Sequence, residues 1–451
     1  MPAWIVNVFN KLRSSLWLIP SCMVIAAILL SWTVPYLDTL LSPEDFEELQ
    51  WLSNMGPESA MTLLSTIAGS MITIAGVVFS ITIVVLTLAS SQFGPRLLGN
   101  FLQDRANQIV LGTFIATFLY CLLVLRTIHV DPNQATPYWG TLLGLLLAVC
   151  SLGVLIYFIH HISVCIQAPH LIASVSAELS RDVGRLFPEK IGKERTPTGS
   201  RKPLPEVITR LEKDGTEIPA QGNGYLQAID GDNLIEIAQK ENLIVLLHYR
   251  PGHFLIQGTP IGTVLADTPI TPEVIKSLNK QFICGNERTQ EQDIEFSVLQ
   301  LVEVGVRALS PGVNDPFTCI QCIDQLSANL CQLAQRAFPS PYRYDDEKAL
   351  RVITCPIRFE GILNAAFHQI RQHGQGNVAV LLRLLEGLER IGMCIKRHED
   401  REAIRRHVTM IQRGSQRSIP ERNDLEEIEQ RCRNVLSLVS MRKTMTFSPD
   451  P

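Results

Sequence analysis

The clearest chemical pattern in this sequence is a row of hydroxyl and glycine residues inside an apolar segment. Counted in sevens through residues 59–90, small or polar residues recur at nearly every first and fourth position. The central members, called the seam below, are Thr66, Gly69, Thr73, Gly76, Ser80 and Thr87. An ideal helix drifts by only ~20° per heptad, so the seam follows one helix face. Close packing against another helix is the simpler interpretation, and a water-filled ion path in a homo-oligomer is the alternative.

A second polar group lies beside strongly apolar helical patterns in the last third of the chain. Its members, called the polar junction below, are Arg288, Asp293, Arg307, Asn314 and Asp315. The Asn and Asp before Pro316 can bond free backbone N–H groups at a helix start, and Arg307 can pair with a carboxylate. This structural role is the simpler interpretation. The alternatives are a pocket for a cytoplasmic ligand or ion, or a contact between subunits.

Residues typical of metal binding or catalysis form no recognisable motif. Cys319-x-x-Cys322 with Cys331 could suggest zinc, but no His completes a usual spacing, and all three fit one helix over 316–337. We therefore expect buried structural cysteines, no metal site and no cofactor. The sequence also lacks G-x-x-x-x-G-K-[ST], G-x-G-x-x-G, H-E-x-x-H and G-x-S-x-G. We expect no catalytic residues and no enzyme activity.

The elements that position these residues begin with four long stretches without Asp, Glu, Lys or Arg. They cover residues 16–34, 67–89, 109–125 and 141–166. Each approaches or exceeds the ~20 residues that cross ~30 Å of hydrocarbon. Hydrophobic residues make up 46% of the chain and its net charge is −4, which excludes a globally basic nucleic-acid binder. The sequence predicts a four-helix transmembrane domain over 1–168, so the lipid bilayer is the expected partner.

The distribution of Lys and Arg predicts how these spans are oriented. Lys11 and Arg13 precede the first span, Arg96 and Arg105 lie between the second and third, and seven basic residues occupy 181–202. The segments 35–58 and 127–140 contain no Lys or Arg, and the first carries six acidic residues. Because basic loops stay in the cytoplasm, we expect both termini there, in a bacterial inner (cytoplasmic) membrane.

The cytoplasmic part is expected to be α+β. A juxtamembrane helix and basic linker occupy 169–223, a small β-rich module 224–268, and a mainly helical domain 269–451. In the β-rich module, strands at 253–257 and 261–265 are expected to pair, and Asp232 to cap a short helix at 233–240. The run 251–261 resembles hairpins of barrel-sandwich (biotinyl/lipoyl-like) domains, without a modifiable Lys in its turn.

The chain as a whole resembles a bacterial family of predicted membrane proteins, domain of unknown function 2254. The matching runs are Ser-Ser-Gln-Phe-Gly-Pro-Arg at 90–96, Leu-Gly-Thr-Phe-Ile-Ala-Thr-Phe at 111–118, 224–230, Arg-Pro-Gly at 250–252, Glu-Arg-Thr at 287–289 with Gln292-Asp293, and Arg-Ala-Leu-Ser-Pro-Gly-Val-Asn-Asp-Pro at 307–316. The resemblance implies a multi-span membrane half joined to a cytoplasmic half. It implies no activity.

Two functions from different classes fit these observations. The leading hypothesis is a homo-oligomeric, channel-like protein with a cytoplasmic regulatory domain, because the seam is polar and the spans carry no ionisable Asp, Glu, Lys or Arg that a coupled transporter would use. The other is a non-conducting, membrane-anchored sensor or scaffold in which the seam only packs helices. Further copies of the chain are the expected protein partner, nucleic acid is not expected, and a small ligand or ion is not identified.

Overall fold

The computed structural model describes residues 17–38, 56–97, 104–128, 138–165, 167–187 and 205–441. The chain separates into two units, Met1–His170 and Leu171–Pro451. Several residues used for the predicted orientation lie outside the described residues. These are Lys11, Arg13, most of the segments 35–58 and 127–140, and the basic residues at 190–202.

Four long α-helices lie in the described residues of the first unit. They are α1 (Leu18–Asp38), α2 (Pro57–Phe93), α3 (Arg105–Leu125) and α4 (Tyr138–Cys165). Three of them, α2, α3 and α4, are long and apolar enough to cross a membrane, whereas the apolar part of α1, Leu18–Val34, is shorter. The sequence predicts four spans; three helices meet the length and composition of a span, and the fourth is not confirmed.

Helix α3 packs against α1, α2 and α4. Glycines allow two of these approaches. A Cβ added at Gly112 would lie 2.6 Å from Sδ of Met23 on α1, and one added at Gly144 on α4 would lie 2.7 Å from Leu64 on α2. Small residues let membrane helices approach closely, so α1 reaches α3, and α4 reaches α2, at glycines.

The rest of the chain combines helices with two β-sheets. The helices that precede or flank the sheets are α5 (Ala168–Leu186), α6 (Pro205–Asp214), α7 (Gly231–Lys240) and α8 (Pro272–Asn279). The strands are β1 (Thr216–Pro219), β2 (Gly224–Ile229), β3 (Ile244–Leu247), β4 (Phe254–Leu255), β5 (Pro260–Leu265), β6 (Phe282–Gly285), β7 (Tyr342–Tyr344) and β8 (Leu350–Ile353). The helices that follow β6 are α9 (Ile294–Ala308), α10 (Pro316–Ala334), α11 (Phe359–His373), α12 (Val378–Cys394), α13 (His398–Ser418) and α14 (Arg422–Met441).

The strands form a five-stranded sheet in the order β1-β5-β3-β8-β7 and a three-stranded sheet in the order β4-β2-β6. The predicted pairing of the strands at 253–257 and 261–265 is wrong, because β4 pairs with β2 while β5 pairs with β1 and β3. The turn between β4 and β5 bonds to the end of β1 instead: the N–H of Gly258 donates to Ala220 O at 2.9 Å, and the N–H of Ala220 donates to Thr259 O at 2.9 Å. The barrel-sandwich-like module is therefore not confirmed.

The five-stranded sheet also depends on a distant segment. Strand β3 pairs in parallel with β8, which places Val245 beside Val352. Both valines are buried in one core with residues of β1, β2, β5, α7 and α8. The strands of the predicted 224–268 module therefore share their sheet and core with residues about a hundred positions further along.

Two local features of the second unit differ from the sequence predictions. Asp230, rather than Asp232, caps α7, since its carboxylate accepts the backbone N–H of Asn233 at 3.2 Å. Helix α13 is not predicted from the sequence, because its apolar positions are few. It nevertheless buries Ile404, His407 and Val408 on one face, so tertiary packing stabilises a helix that its composition alone does not indicate.

Candidate functional site

The seam lies on the face of α2 that points away from the other helices of its unit. All six members are exposed, and a Cβ added at Gly69 or Gly76 would meet nothing within 4 Å. The buried residues of α2 are Ala60, Leu64, Ile67, Ala68, Met71, Ala75, Val78, Val85, Ala89 and Phe93. At about 100° per residue, the two sets occupy opposite sides of α2. Within the ranges that the structure describes, no helix of the unit covers the seam.

The seam hydroxyls use their protons within α2. They donate to carbonyls one turn earlier: Thr66 to Thr62 O at 2.7 Å, Thr73 to Gly69 O at 2.8 Å, Ser80 to Gly76 O at 2.9 Å, and Thr87 to Ile83 O at 2.9 Å. A hydroxyl carries one donor and two acceptor lone pairs. The group that each seam hydroxyl offers outward is therefore an oxygen acceptor, which suits a cation or a water molecule better than an anion.

The polar junction separates into two places, and only Arg288 and Asp293 meet in the first. The Arg288 guanidinium donates to Oδ2 of Asp293 through Nε at 2.7 Å and lies 2.6 Å from it through Nη2. A second pair joins them, because Arg250 Nη2 bonds Oε1 of Glu295, whose other oxygen lies 3.9 Å from Arg288. These four residues are called the ionic network below.

The ionic network holds the turn after β3 against the start of α9. Asp293 is the N-cap of α9, and its Oδ1 accepts the N–H of Phe296 at 3.3 Å. Gly252, with φ of +97°, brings the turn so close that an added Cβ would lie 2.3 Å from Oδ2 of Asp293. Only glycine adopts this conformation readily, so a larger residue at position 252 would disturb both the turn and the ionic network.

Burial sets the electrostatics of the ionic network. Asp293 is 3% exposed, and burial raises the pKa of its carboxyl although the guanidinium of Arg288 opposes this shift. Burial, together with the charge of Arg250, lowers the pKa of the neighbouring His253. Two guanidinium groups face two carboxylates, so the charges balance. The arrangement is suited to fixing a turn and leaves no excess charge for a ligand.

The other members of the polar junction lie at the connection between α9 and α10. The carboxylate of Asp315 caps α10 and accepts the N–H groups of Phe317 and Thr318, each at 3.1 Å. The hydrogen bond from the Thr318 hydroxyl, together with these two backbone bonds, lowers the pKa of Asp315. Asn314 has φ of +50°, a conformation that Asn tolerates. Arg307 lies 3.5 Å from the carboxylate of Glu303. These geometries agree with the structural roles of caps and pairs.

The three cysteines considered for zinc lie on α10. Cys319 and Cys322 are buried and Cys331 is half-buried. Burial raises the pKa of Cys319 to about 12 and that of Cys331 to about 12. Among the residues that the structure describes, none of these three cysteines belongs to a group of three or more His, Cys, Asp or Glu ligand atoms close enough to share a metal ion.

Sequence reasoning missed two sets of partners. It did not join Arg250 and Glu295 to the junction, although Arg250 stands in the Arg-Pro-Gly run at 250–252 and Glu295 follows Gln292-Asp293 closely. It also did not join Asp104 to His161 and Cys165, whose ligand atoms lie within 4.8 Å of one another. The spacing of His161 and Cys165, four positions apart on one helix, was the available signal.

A buried histidine on α13 gives the second unit a pH dependence. His407 is 1% exposed, its Nε2 lies 2.8 Å from Asn364 Oδ1, and burial next to His368 and Arg371 lowers its pKa to about 3. The unfolded chain takes up this proton near the ordinary value of about 6.5. Stability is therefore present above that pH and is lost as the pH falls toward about 3.

We expect the free energy of unfolding to fall by up to roughly 1.4 kcal/mol per pH unit over this range because of His407. Urea unfolding of the full chain in detergent, followed by circular dichroism, measures it. His407→Gln should flatten the profile, while His373→Gln, at an exposed position of α11, should leave it unchanged. Equal slopes in all three proteins would contradict the assignment.

Comparison with known proteins gives one consistent result. A family model described as "Predicted membrane protein (DUF2254)" matches residues 13–390. The uncharacterized protein Mb1321c of Mycobacterium bovis is 32% identical over 374 residues, which cover 82% of this chain and 70% of that protein. The uncharacterized protein Rv1290c of Mycobacterium tuberculosis has the same identity and coverage. No solved structure matches the chain.

Proposed function

The chain belongs to the DUF2254 family of predicted membrane proteins, and from this premise we propose that it is a homo-oligomeric, cation-permeable channel. In the proposed arrangement, copies of α2 surround an aqueous path and turn their seams toward it. The second unit then serves as a cytoplasmic regulatory part. We propose no catalytic activity for the protein.

The exposed seam is the observation that carries the proposal. A row of hydroxyls and glycines that faced lipid would make few favourable contacts, since lipid offers no polar partner. Among the described residues of the unit, the opposite face of α2 makes the packing contacts. We propose that the seam makes its contacts with further copies of the chain, and a ring of such copies can enclose water.

The hydroxyl chemistry favours cations as the permeating ions. Each seam hydroxyl donates a hydrogen bond to a backbone carbonyl of α2. Its oxygen lone pairs therefore point outward, as the oxygens of carbonyl-lined cation paths do. The segment 35–58, which leads into α2, carries six acidic residues and no Lys or Arg. Such a segment would raise the local concentration of cations at that end of the path.

The proposed topology has four spans, with α1 as the fourth. The apolar part of α1, Leu18–Val34, would extend to about 26 Å at 1.5 Å per residue, which lies at the short end of the lengths that cross a ~30 Å hydrocarbon core. Helix α2, with 37 residues, would extend to about 55 Å and therefore beyond the core. The placement of Lys and Arg supports cytoplasmic termini in the bacterial inner membrane.

Purified full-length protein in planar bilayers should conduct K⁺ in preference to Cl⁻, with a reversal potential that follows the K⁺ gradient. Thr73→Leu or Ser80→Leu should lower the conductance by roughly tenfold or more, because leucine replaces an oxygen acceptor with an apolar group that excludes water. Native mass spectrometry of the same preparation should give at least three copies, the minimum for a ring of single helices.

The matched control is Thr113→Leu on α3, whose hydroxyl makes the same kind of bond, to Ile109 O at 2.8 Å, away from the seam. It should conduct as the original protein does. Conductance that Thr73→Leu and Thr113→Leu reduce equally would contradict a path along the seam. A stable monomer that conducts no ion would contradict the channel and favour a non-conducting, membrane-anchored sensor or scaffold.

A further inference from the structure

Three side chains of different chemistry converge where α3 begins and α4 ends. His161 Nε2 lies 2.5 Å from Oδ2 of Asp104, and Cys165 Sγ lies 3.3 Å from the same nitrogen. Cys165 Sγ is 3.9 Å from Oδ2 of Asp104. All three belong to the first unit, and one imidazole nitrogen, one carboxylate oxygen and one sulfur therefore point at a common place.

Local structure fixes each of the three groups. Asp104 is the N-cap of α3, and its Oδ1 accepts the N–H of Ala106 at 2.9 Å, which leaves Oδ2 for the common place. His161 and Cys165 are four residues apart on the last turn of α4 and so share one helix face. The ring of Tyr157, one turn earlier, stacks on His161 with 5.6 Å between centroids. Neither the cap nor the stack needs to break if an ion binds.

We propose that Asp104, His161 and Cys165 form a three-ligand site for Zn²⁺, with a fourth position left for water or another small ligand. This departs from the sequence expectation of no metal site. Tetrahedral Zn²⁺, with bonds of about 2.0–2.3 Å, keeps its ligand atoms roughly 3.3–3.7 Å apart. The three distances, from 2.5 to 3.9 Å, need changes of less than about 1 Å to reach this geometry.

The mixture of ligands selects the ion. Imidazole and thiolate are ligands of zinc and its transition-metal neighbours, whereas Mg²⁺ and Ca²⁺ require oxygen ligands. On binding, the Cys165 thiol gives its proton to solvent and the His161 ring binds in its neutral form through Nε2. The side chains of His161 and Asp104 remain 22% and 25% exposed, so an ion from solvent can reach them.

A bound ion would tie two membrane helices together. Asp104 starts α3, His161 and Cys165 end α4, and these helices are joined through residues 126–137. In the proposed topology, this end of the spans faces the cytoplasm, so cytoplasmic zinc would reach it. No seam residue belongs to the proposed site, and zinc binding can be measured whether or not the protein conducts ions.

The experiment measures metal content and spectroscopy on the full chain in detergent. After incubation with Zn²⁺ and desalting, elemental analysis should give about one zinc per chain. Co²⁺ in place of Zn²⁺ should add a near-ultraviolet thiolate-to-cobalt charge-transfer band and visible bands of a tetrahedral site. Cys165→Ser should abolish the thiolate band, and His161→Ala should lower zinc content at least roughly tenfold.

Two neighbours are matched controls. His160→Ala removes the adjacent imidazole, and Cys150→Ser removes an exposed thiol of the same helix; both should keep the zinc and the cobalt spectrum. Binding should weaken as the pH falls, because protons compete for His161 and Cys165. Zinc retained in both Cys165→Ser and His161→Ala, or absent from the original protein at micromolar Zn²⁺, would overturn the proposal.

Discussion

Arg288→Met is expected to destabilise the second unit by about 3–5 kcal/mol, the usual cost of leaving a buried charge without its partner. Asp293 is 3% exposed and would keep its cap bond to Phe296 while losing both guanidinium contacts. The pKa of Asp293, already raised by burial, should rise further. Pulse proteolysis of the full chain across a urea series, read from fragments of the second unit, measures the loss.

The sign of the pH dependence gives this prediction a second readout. A buried acid with a raised pKa favours its protonated form in the folded state, so stability increases as the pH falls through that raised pKa toward the ordinary value of the carboxyl. The cost of Arg288→Met should therefore be smaller at about pH 5 than at about pH 8. Arg288→Met combined with Asp293→Asn should recover part of the loss, because Asn keeps the cap without the charge.

The control for Arg288→Met is Arg422→Met on α14. Arg422 pairs with Glu426 at 2.8 Å, but its side chain is 88% exposed, and exposed pairs of this spacing contribute only about 0.3–0.5 kcal/mol. If Arg288→Met costs no more than Arg422→Met, Asp293 does not depend on its partner. The ionic network would then be incidental to stability.

Gly252→Ala is the second substitution expected to have a large effect. The φ of +97° at Gly252 is a conformation that alanine rarely adopts, and the added Cβ would lie 2.3 Å from Oδ2 of Asp293 and 2.8 Å from Nη2 of Arg288. Backbone strain of this kind costs about 1–3 kcal/mol, and displacement of the buried ion pair adds to it. The same proteolysis assay measures the change.

Gly414→Ala provides a control of opposite sign. Gly414 lies inside helix α13, and an added Cβ would meet nothing within 4 Å. Alanine there should stabilise the unit by roughly 0.5–1 kcal/mol, since glycine is a poor helix former. If Gly252→Ala were as benign as Gly414→Ala, the turn would not depend on glycine, and there would be room for a Cβ between the turn and Asp293.

The sequence predicts well those features that one segment determines alone. Three of the four long stretches without charge lie in helices that are long and apolar enough to cross a membrane, because the bilayer penalises charge at every position of a span. The heptad spacing places the seam on one face, and Asp315 before a proline predicts the cap of α10. Each of these depends on neighbouring residues only, and each can be read within about twenty positions.

Features that join distant segments were not predictable in the same way. The sequence does not indicate which face of α2 is covered, since that depends on the other helices of the unit. The partner of Glu295 is Arg250, which comes from the turn after β3, and β8 joins the sheet from far along the chain. Asp104 and His161 meet only because α3 and α4 pack side by side. Pairings of this kind are decided by tertiary structure.

The parallel pairing of β3 with β8 has a consequence for biosynthesis. Once β5 has followed β3 out of the ribosome, one edge of β3 has β5 as a partner, but the other edge stays open until residues 350–353 have been made. An open edge of apolar residues invites pairing with other nascent chains, and non-local strands join slowly. The second unit should therefore complete its sheet late in translation, and during this interval the open edge of β3 is the part of the sheet most exposed to pairing with another nascent chain.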